Sequence, residues 1–179
     1  MGLLYRKGNF LTSFYFEDIF ERYSSEIDDL RSDSEGKDVL QRRVRDKHKE
    51  FSFLLAMIDT APEMVAPAFH GAFGFGKSRL LYDASQSEPG GDGFPAWAEL
   101  EESIDIAAWA HPLINLCRQK AGGEDFLVTA AVLEYLLGSG LTARAAPEAE
   151  AEEDEDSSED LGDAGEEWMS EQGFDAVDR

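Results

Sequence analysis

Between Thr12 and Leu30 the residues Phe16, Ile19, Phe20, Tyr23, Ile27 and Leu30 recur at steps of three and four, with acids and serines filling the gaps. That spacing places them on one stripe of an α-helix, for which Thr12 or Ser13 is the expected N-cap. Ser32-Asp33-Ser34-Glu35-Gly36 breaks the stripe with turn formers, and a second one follows at Leu40, Val44, Phe51, Leu55 and Ile58. Two amphipathic helices with so short a polar connection are expected to pack as an antiparallel hairpin.

Pro62 and Pro67 then leave room for about one turn of helix before Gly71, Gly74 and Gly76 interrupt the chain. Ser78 to Ala84 fits one short helix, and Ser87-Glu88-Pro89-Gly90-Gly91-Asp92-Gly93 is the clearest loop. Pro95 suits the first position of a helix running through Trp97, Leu100, Ile104 and Ala108. Pro112 should kink or restart it, with Leu113, Leu116 and Cys117 beyond and Gly122-Gly123 closing the element. Asp125 is the expected cap of a last helix carrying Val128, Val132, Leu133, Leu136 and Leu137, ended by Gly138 and Gly140. Because that helix is apolar on nearly every side, it belongs at the centre of the core. Strand-like alternation is nearly absent. The pattern therefore predicts an all-α fold: a small irregular helical bundle of about five helices and no sheet over residues 1–142, followed by a disordered acidic tail over 143–179.

Charge enters the picture through that tail. Of the formal net charge of −22, much lies after Ala145, where 15 acidic residues face Arg179 as the one base. Such a stretch lacks the apolar surface needed to fold alone. Near its end, however, stand Trp168, Met169, Phe174 and Val177, spaced to form one face of a short helix ordered in a partner's groove. The single Cys117 excludes an intrachain disulfide. No apolar run follows Arg6 and Lys7, so no secretory leader is read and a cytoplasmic location is expected. The longest apolar stretch, Phe126 to Leu137, contains Glu134 and falls short of the roughly 20 residues a bilayer requires, so no membrane contact is expected.

Gly71-Ala72-Phe73-Gly74-Phe75-Gly76-Lys77-Ser78 matches the G-x-x-x-x-G-K-S pattern and resembles the phosphate loop of P-loop NTPases. The resemblance implies ATP or GTP bound by Gly71, Gly76, Lys77 and Ser78, with magnesium on Ser78. The context differs: two prolines precede the motif where a buried strand is needed, and both Ile104-Asp105 and Leu133-Glu134, the candidate magnesium-holding carboxylates, lie in helical patterns. The competing reading is a glycine-rich connection anchored to the core by its phenylalanines. His48, His70 and His111 have no carboxylate or histidine partner at a helical step, so neither a metal nor another cofactor is expected.

One basic cluster stands out, Arg42, Arg43, Arg45, Lys47 and Lys49. The charge of the whole chain opposes direct nucleic-acid binding through it, leaving a solvated helix face or a surface for the acidic tail. With no catalytic constellation in view, the reading leans away from an enzyme. It favours a helical adaptor, chaperone or inhibitor that binds a protein partner with a basic surface or groove. A P-loop-like nucleotide-binding protein and an acidic DNA mimic are the alternatives.

Overall fold

Thr129 and Glu134 are the only polar residues from Phe126 to Leu136 apart from Tyr135, and the helix built from this stretch is enclosed by the rest of the domain. The structure is a computed structural model that describes residues 4–7, 10–32, 38–76 and 79–139. It is predominantly helical, as the stripes predict. Helix α1 spans Phe14–Ser32, α2 Asp38–Lys49, α3 Phe51–Leu54, α4 Pro62–Val65, α5 Arg79–Ser85, α6 Trp97–Glu101, α7 His111–Arg118 and α8 Gly123–Gly138. Short 3-10 turns at Leu55–Met57, Ala66–Phe69 and Ala108–Ala110 extend α3, extend α4 and lead into α7. The expected tail, with Trp168, Met169, Phe174 and Val177, lies outside the described residues, as do Lys77 and Ser78.

The first stripe forms as read. Phe16, Ile19, Phe20, Tyr23 and Ile27 are buried on one face of α1. Ser13 Oγ accepts from the Phe16 N–H at 3.3 Å, which is the N-cap bond, and donates to the Ser87 carbonyl at 2.9 Å. Arg43 of α2 donates to the Asp29 and Leu30 carbonyls at the end of α1, while Lys47 pairs with Glu26 at 3.0 Å. Later residues of α2 therefore meet earlier residues of α1, so the hairpin is antiparallel. The second stripe is not one helix: it breaks at Glu50, whose backbone is not helical (φ −99°, ψ 8°), and Phe51 is buried from the next short helix.

Eight α-helices among the described residues replace the five expected, because long stripes are cut into pieces. The stripe from Trp97 to Ala108 divides into α6, a turn, a strand and a 3-10 turn. Ala96 is the N-cap of α6, so Pro95 stands before the helix and not in its first position. Pro112 sits in the first turn of α7 and restarts the chain as a helix, where its missing N–H leaves no bond unmade.

The expectation of no sheet is also corrected. Strands β1 (Leu4–Lys7) and β2 (Phe10–Ser13) pair antiparallel, Leu4 opposite Ser13 and Lys7 opposite Phe10. The Gly8-Asn9 dipeptide between them is a hairpin signal whose flanking strands are too short for alternation to register. Strands β3 (Phe73–Gly74) and β4 (Asp105–Ile106) form a second antiparallel pair. Ile104-Asp105 is thus not helical, and a two-residue strand has no period to read.

Helix α8 packs against α1, α4, α5, α6, α7 and the 3-10 turn at Ala66–Phe69. Its residues from Phe126 to Glu134 and Leu136 are all buried. Around it, an aromatic chain passes from Phe51 to Phe69 (5.6 Å between ring centres), Phe73 (5.8 Å) and Trp97 (6.2 Å). The cap of α8 is Gly122 and not Asp125. Gly122 holds φ 74° to reverse the chain from α7, and Asp125 falls in the first turn, where its charge suits the helix dipole. The reversal is tight: a Cβ on Gly123 would stand 1.8 Å from the Cys117 carbonyl oxygen.

That contact separates two glycines of the same helix. Gly123→Ala should destabilise the domain by about 1–3 kcal/mol or more, as overpacking against backbone does. Gly138→Ala, which meets nothing within 4 Å, should be neutral to mildly stabilising, within about 1 kcal/mol. Urea unfolding of both variants measures the difference.

Candidate functional site

A carboxylate buried inside an apolar helix needs partners, and Glu134 has three. Its Oε1 accepts from the Tyr23 hydroxyl of α1 and lies 2.7 Å from His70 Nδ1; its Oε2 accepts the Gly71 N–H at 3.3 Å. Glu134 is 8% exposed and the His70 side chain 19%. A carboxylate receiving a hydroxyl and an amide is an acceptor, so the imidazole donates through Nδ1, and the neutral tautomer this bond selects has its lone pair on Nε2. No helical spacing announces this pair: His70 and Glu134 are 64 residues apart. The only sequence signal is a glutamate in the middle of an otherwise apolar helix.

Gly71, the first glycine of the phosphate-loop pattern, therefore spends its N–H on a carboxylate. Phe73 is buried against Phe69 and Trp97, Phe75 packs edge-on to Tyr135 at 5.9 Å, and Gly74 lies so close to Asp105 that a Cβ there would meet Asp105 Cβ at 3.2 Å. The segment is held by its phenylalanines and by an antiparallel strand. Gly76 is exposed.

The basic cluster disperses when placed on α2. Arg43 braces the end of α1, Lys47 pairs with Glu26 and reaches the Met64 carbonyl at 3.5 Å, and Lys49 pairs with Asp46 at 2.7 Å. The Lys49 hydrogen bond holds the Asp46 carboxyl below its usual range. Arg42 and Arg45 are exposed. His48 Nε2 lies 2.6 Å from the Ala68 carbonyl, and the ring stacks on Trp109 at 4.8 Å. His111 begins α7, exposed.

A cleft of about 320 Å³ opens beside α1 and the start of α8. Ile58, Pro62, Pro89 and Phe126 give it an apolar floor, and Asp59, Glu88 and Asp125 bring three carboxylates to it with no Lys, Arg or His in the lining. Tyr15 and Thr129 add hydroxyls. Burial pushes the Tyr15 hydroxyl up, the Thr129 side chain pulls the other way, and Glu63 and Glu88 push it up further. The positive charge of Arg22 acts against these two acids and lowers it. The spacing of Asp59, Glu88 and Asp125 along the chain gives no hint that they converge.

No protein-family model, no curated protein and no solved structure matches the chain. No helix among the described residues is long and apolar enough to cross a membrane, and no group of metal-binding side chains is assembled among them.

Two buried protons make the fold sensitive to alkali. Burial first, then Glu134, raises the Tyr23 hydroxyl well above its ordinary 10.0, and burial pushes the Cys117 thiol from 9.0 up to about 12. Each group keeps a proton in the folded state that the unfolded chain has released, so its contribution is complete below the ordinary value and falls as pH rises above it. Stability should therefore decline from about pH 9 through Cys117 and more steeply from about pH 10 as Tyr23 joins. Cys117→Ala should flatten the first part. Tyr23→Phe should flatten the second, Tyr15 retaining a share, while lowering stability at pH 7 by about 1–3 kcal/mol because a buried carboxylate loses a donor. Urea unfolding at pH 7 to 11 reads both slopes.

Proposed function

We propose that the chain is a non-enzymatic helical adaptor, chaperone or inhibitor that binds a protein partner, taking a basic segment of it into the cleft beside α8. The observation that carries this reading is the convergence of Asp59, Glu88 and Asp125 on an apolar-floored cleft whose lining contains no cation. Lysine and arginine fit such a place, since their stems cover apolar surface while their heads remain among carboxylates. The acidic stretch after Ala145 adds long-range attraction for the same kind of partner, which acts on encounter more than on final affinity. Trp168, Met169, Phe174 and Val177 are its proposed anchoring residues. Direct nucleic-acid binding runs against the net charge. The nucleotide reading of Gly71, Gly76, Lys77 and Ser78 is the weaker proposal, because the Gly71 N–H already serves Glu134.

Titration of a Lys/Arg-rich peptide followed by backbone amide shifts tests the cleft. The amides of Gly122 and Thr129 should move, and the combined substitution Asp59→Asn with Glu88→Gln should weaken binding about fivefold, on the order of 1 kcal/mol, with a loss that shrinks as salt rises. Ending the chain at Thr142 should slow association and leave dissociation nearly unchanged. Peptide binding that leaves Gly122 and Thr129 unmoved would exclude the cleft.

A further inference from the structure

We propose that His70 is a phosphoryl acceptor, whose Nε2 takes a phosphoryl group from an activated donor of the acyl phosphate or phosphoramidate class. The inference rests on the Glu134 network and is independent of the acidic cleft.

The three histidines of the chain stand in three different states. His48 has its Nε2 committed to the Ala68 carbonyl at 2.6 Å and its ring face covered by Trp109. His111 is exposed at the start of α7, with no carboxylate partner among the described residues. His70 alone is held through Nδ1, at 2.7 Å from a carboxylate that Tyr23 and Gly71 fix in place. Its Nε2 meets no hydrogen-bonding group among the described residues. A carboxylate on one ring nitrogen sets the tautomer and makes the other nitrogen a better base and nucleophile, as it does for imidazoles in catalytic triads and at metals.

The His70 side chain is 19% exposed, and the residue that follows it, Gly71, is exposed and carries no side chain. The step balances without another reagent. The Nε2 lone pair attacks phosphorus in line as the bond to the leaving group breaks, and that bonding pair departs with the donor. An acyl phosphate releases a carboxylate; phosphoramidate releases ammonia, its nitrogen already carrying the proton. The product is an Nε2-phosphoryl imidazolium that keeps its Nδ1 proton, with the ring's positive charge facing Glu134. The phosphoryl oxygens sit on the opposite side of the ring from that carboxylate.

The full chain treated with phosphoramidate, with sites resolved by mass spectrometry and the nitrogen identified by phosphorus NMR, gives the answer. His70 should be phosphorylated on Nε2 about tenfold or more faster than His111, although His111 is far more exposed, because an orienting carboxylate contributes on that scale. In concentrated urea the two should react alike. Glu134→Gln should bring His70 down toward the rate of His111 in protein whose circular dichroism is unchanged. Equal or faster labelling of His111 in the native protein, labelling of His70 on Nδ1, or a folded Glu134→Gln protein with undiminished labelling would each overturn the proposal. Should that variant fail to fold, the native and urea-treated wild-type proteins decide the question by themselves.

Discussion

The way α1 and the glycine-rich segment meet the central helix answers one electrostatic requirement: a carboxylate on α8 must be kept out of water without being left alone. Desolvating an unpaired charge is far more costly than any single apolar contact is favourable. Glu134 meets the requirement by drawing on α1 through Tyr23 and on the glycine-rich segment through His70 and Gly71. The same three bonds tie the hairpin of α1 and α2, the turn after Phe69 and the central helix to one another. Apolar packing around α8 supplies most of the stabilisation, but it is non-directional; the bonds to Glu134 are directional.

The legible parts of this fold were those with a repeating period. Phe16 to Ile27 form one face of α1 with Ser13 as cap, and the segment from Phe126 to Leu136 lies at the centre of the core, both as the spacing of apolar residues indicates. The illegible parts are short. Glu50 breaks a stripe whose apolar residues continue across the break, and Ile104-Asp105-Ile106 leaves a helix for a two-residue strand in which alternation has no room to show. Gly122 in place of Asp125 as the cap follows from a backbone turn that requires positive φ, which outranks a side-chain capping preference. The candidate sites were hidden for a different reason. Neither the pairing of His70 with Glu134 nor the gathering of Asp59, Glu88 and Asp125 uses local spacing, and only the packing of α1, α4 and α8 brings them together.

Charge clusters in sequence and charge clusters in space differ instructively here. Five bases within eight residues of α2 look like a surface, yet Arg43 and Lys47 are consumed in fastening α2 to α1 and to the Met64 carbonyl, and Lys49 is taken by its neighbour Asp46. The Lys47 and Glu26 side chains are each 18% exposed, so their pair is better shielded from salt than an ordinary surface pair. The three acids of the cleft are scattered over 67 positions of the chain from Asp59 to Asp125 and receive no such partner among the described residues. Folding thus pairs Lys47 and Lys49, leaves Arg42 and Arg45 exposed, and gathers acids that the sequence keeps apart.

A helix that is apolar all round carries little information about how it should be turned. An amphipathic helix has its rotation fixed by the side it must hide, but α8 buries every side, and a slip of one residue would still present leucine, valine and alanine to its neighbours. Such a slip would swing the residue at position 134 about 100° around the axis, carrying its carboxylate away from Tyr23, His70 and Gly71 into hydrocarbon. The buried acid therefore acts as an indexing pin: it contributes to which of several nearly equivalent packings is the native one, a service that a leucine at the same position would not perform however well it filled the space.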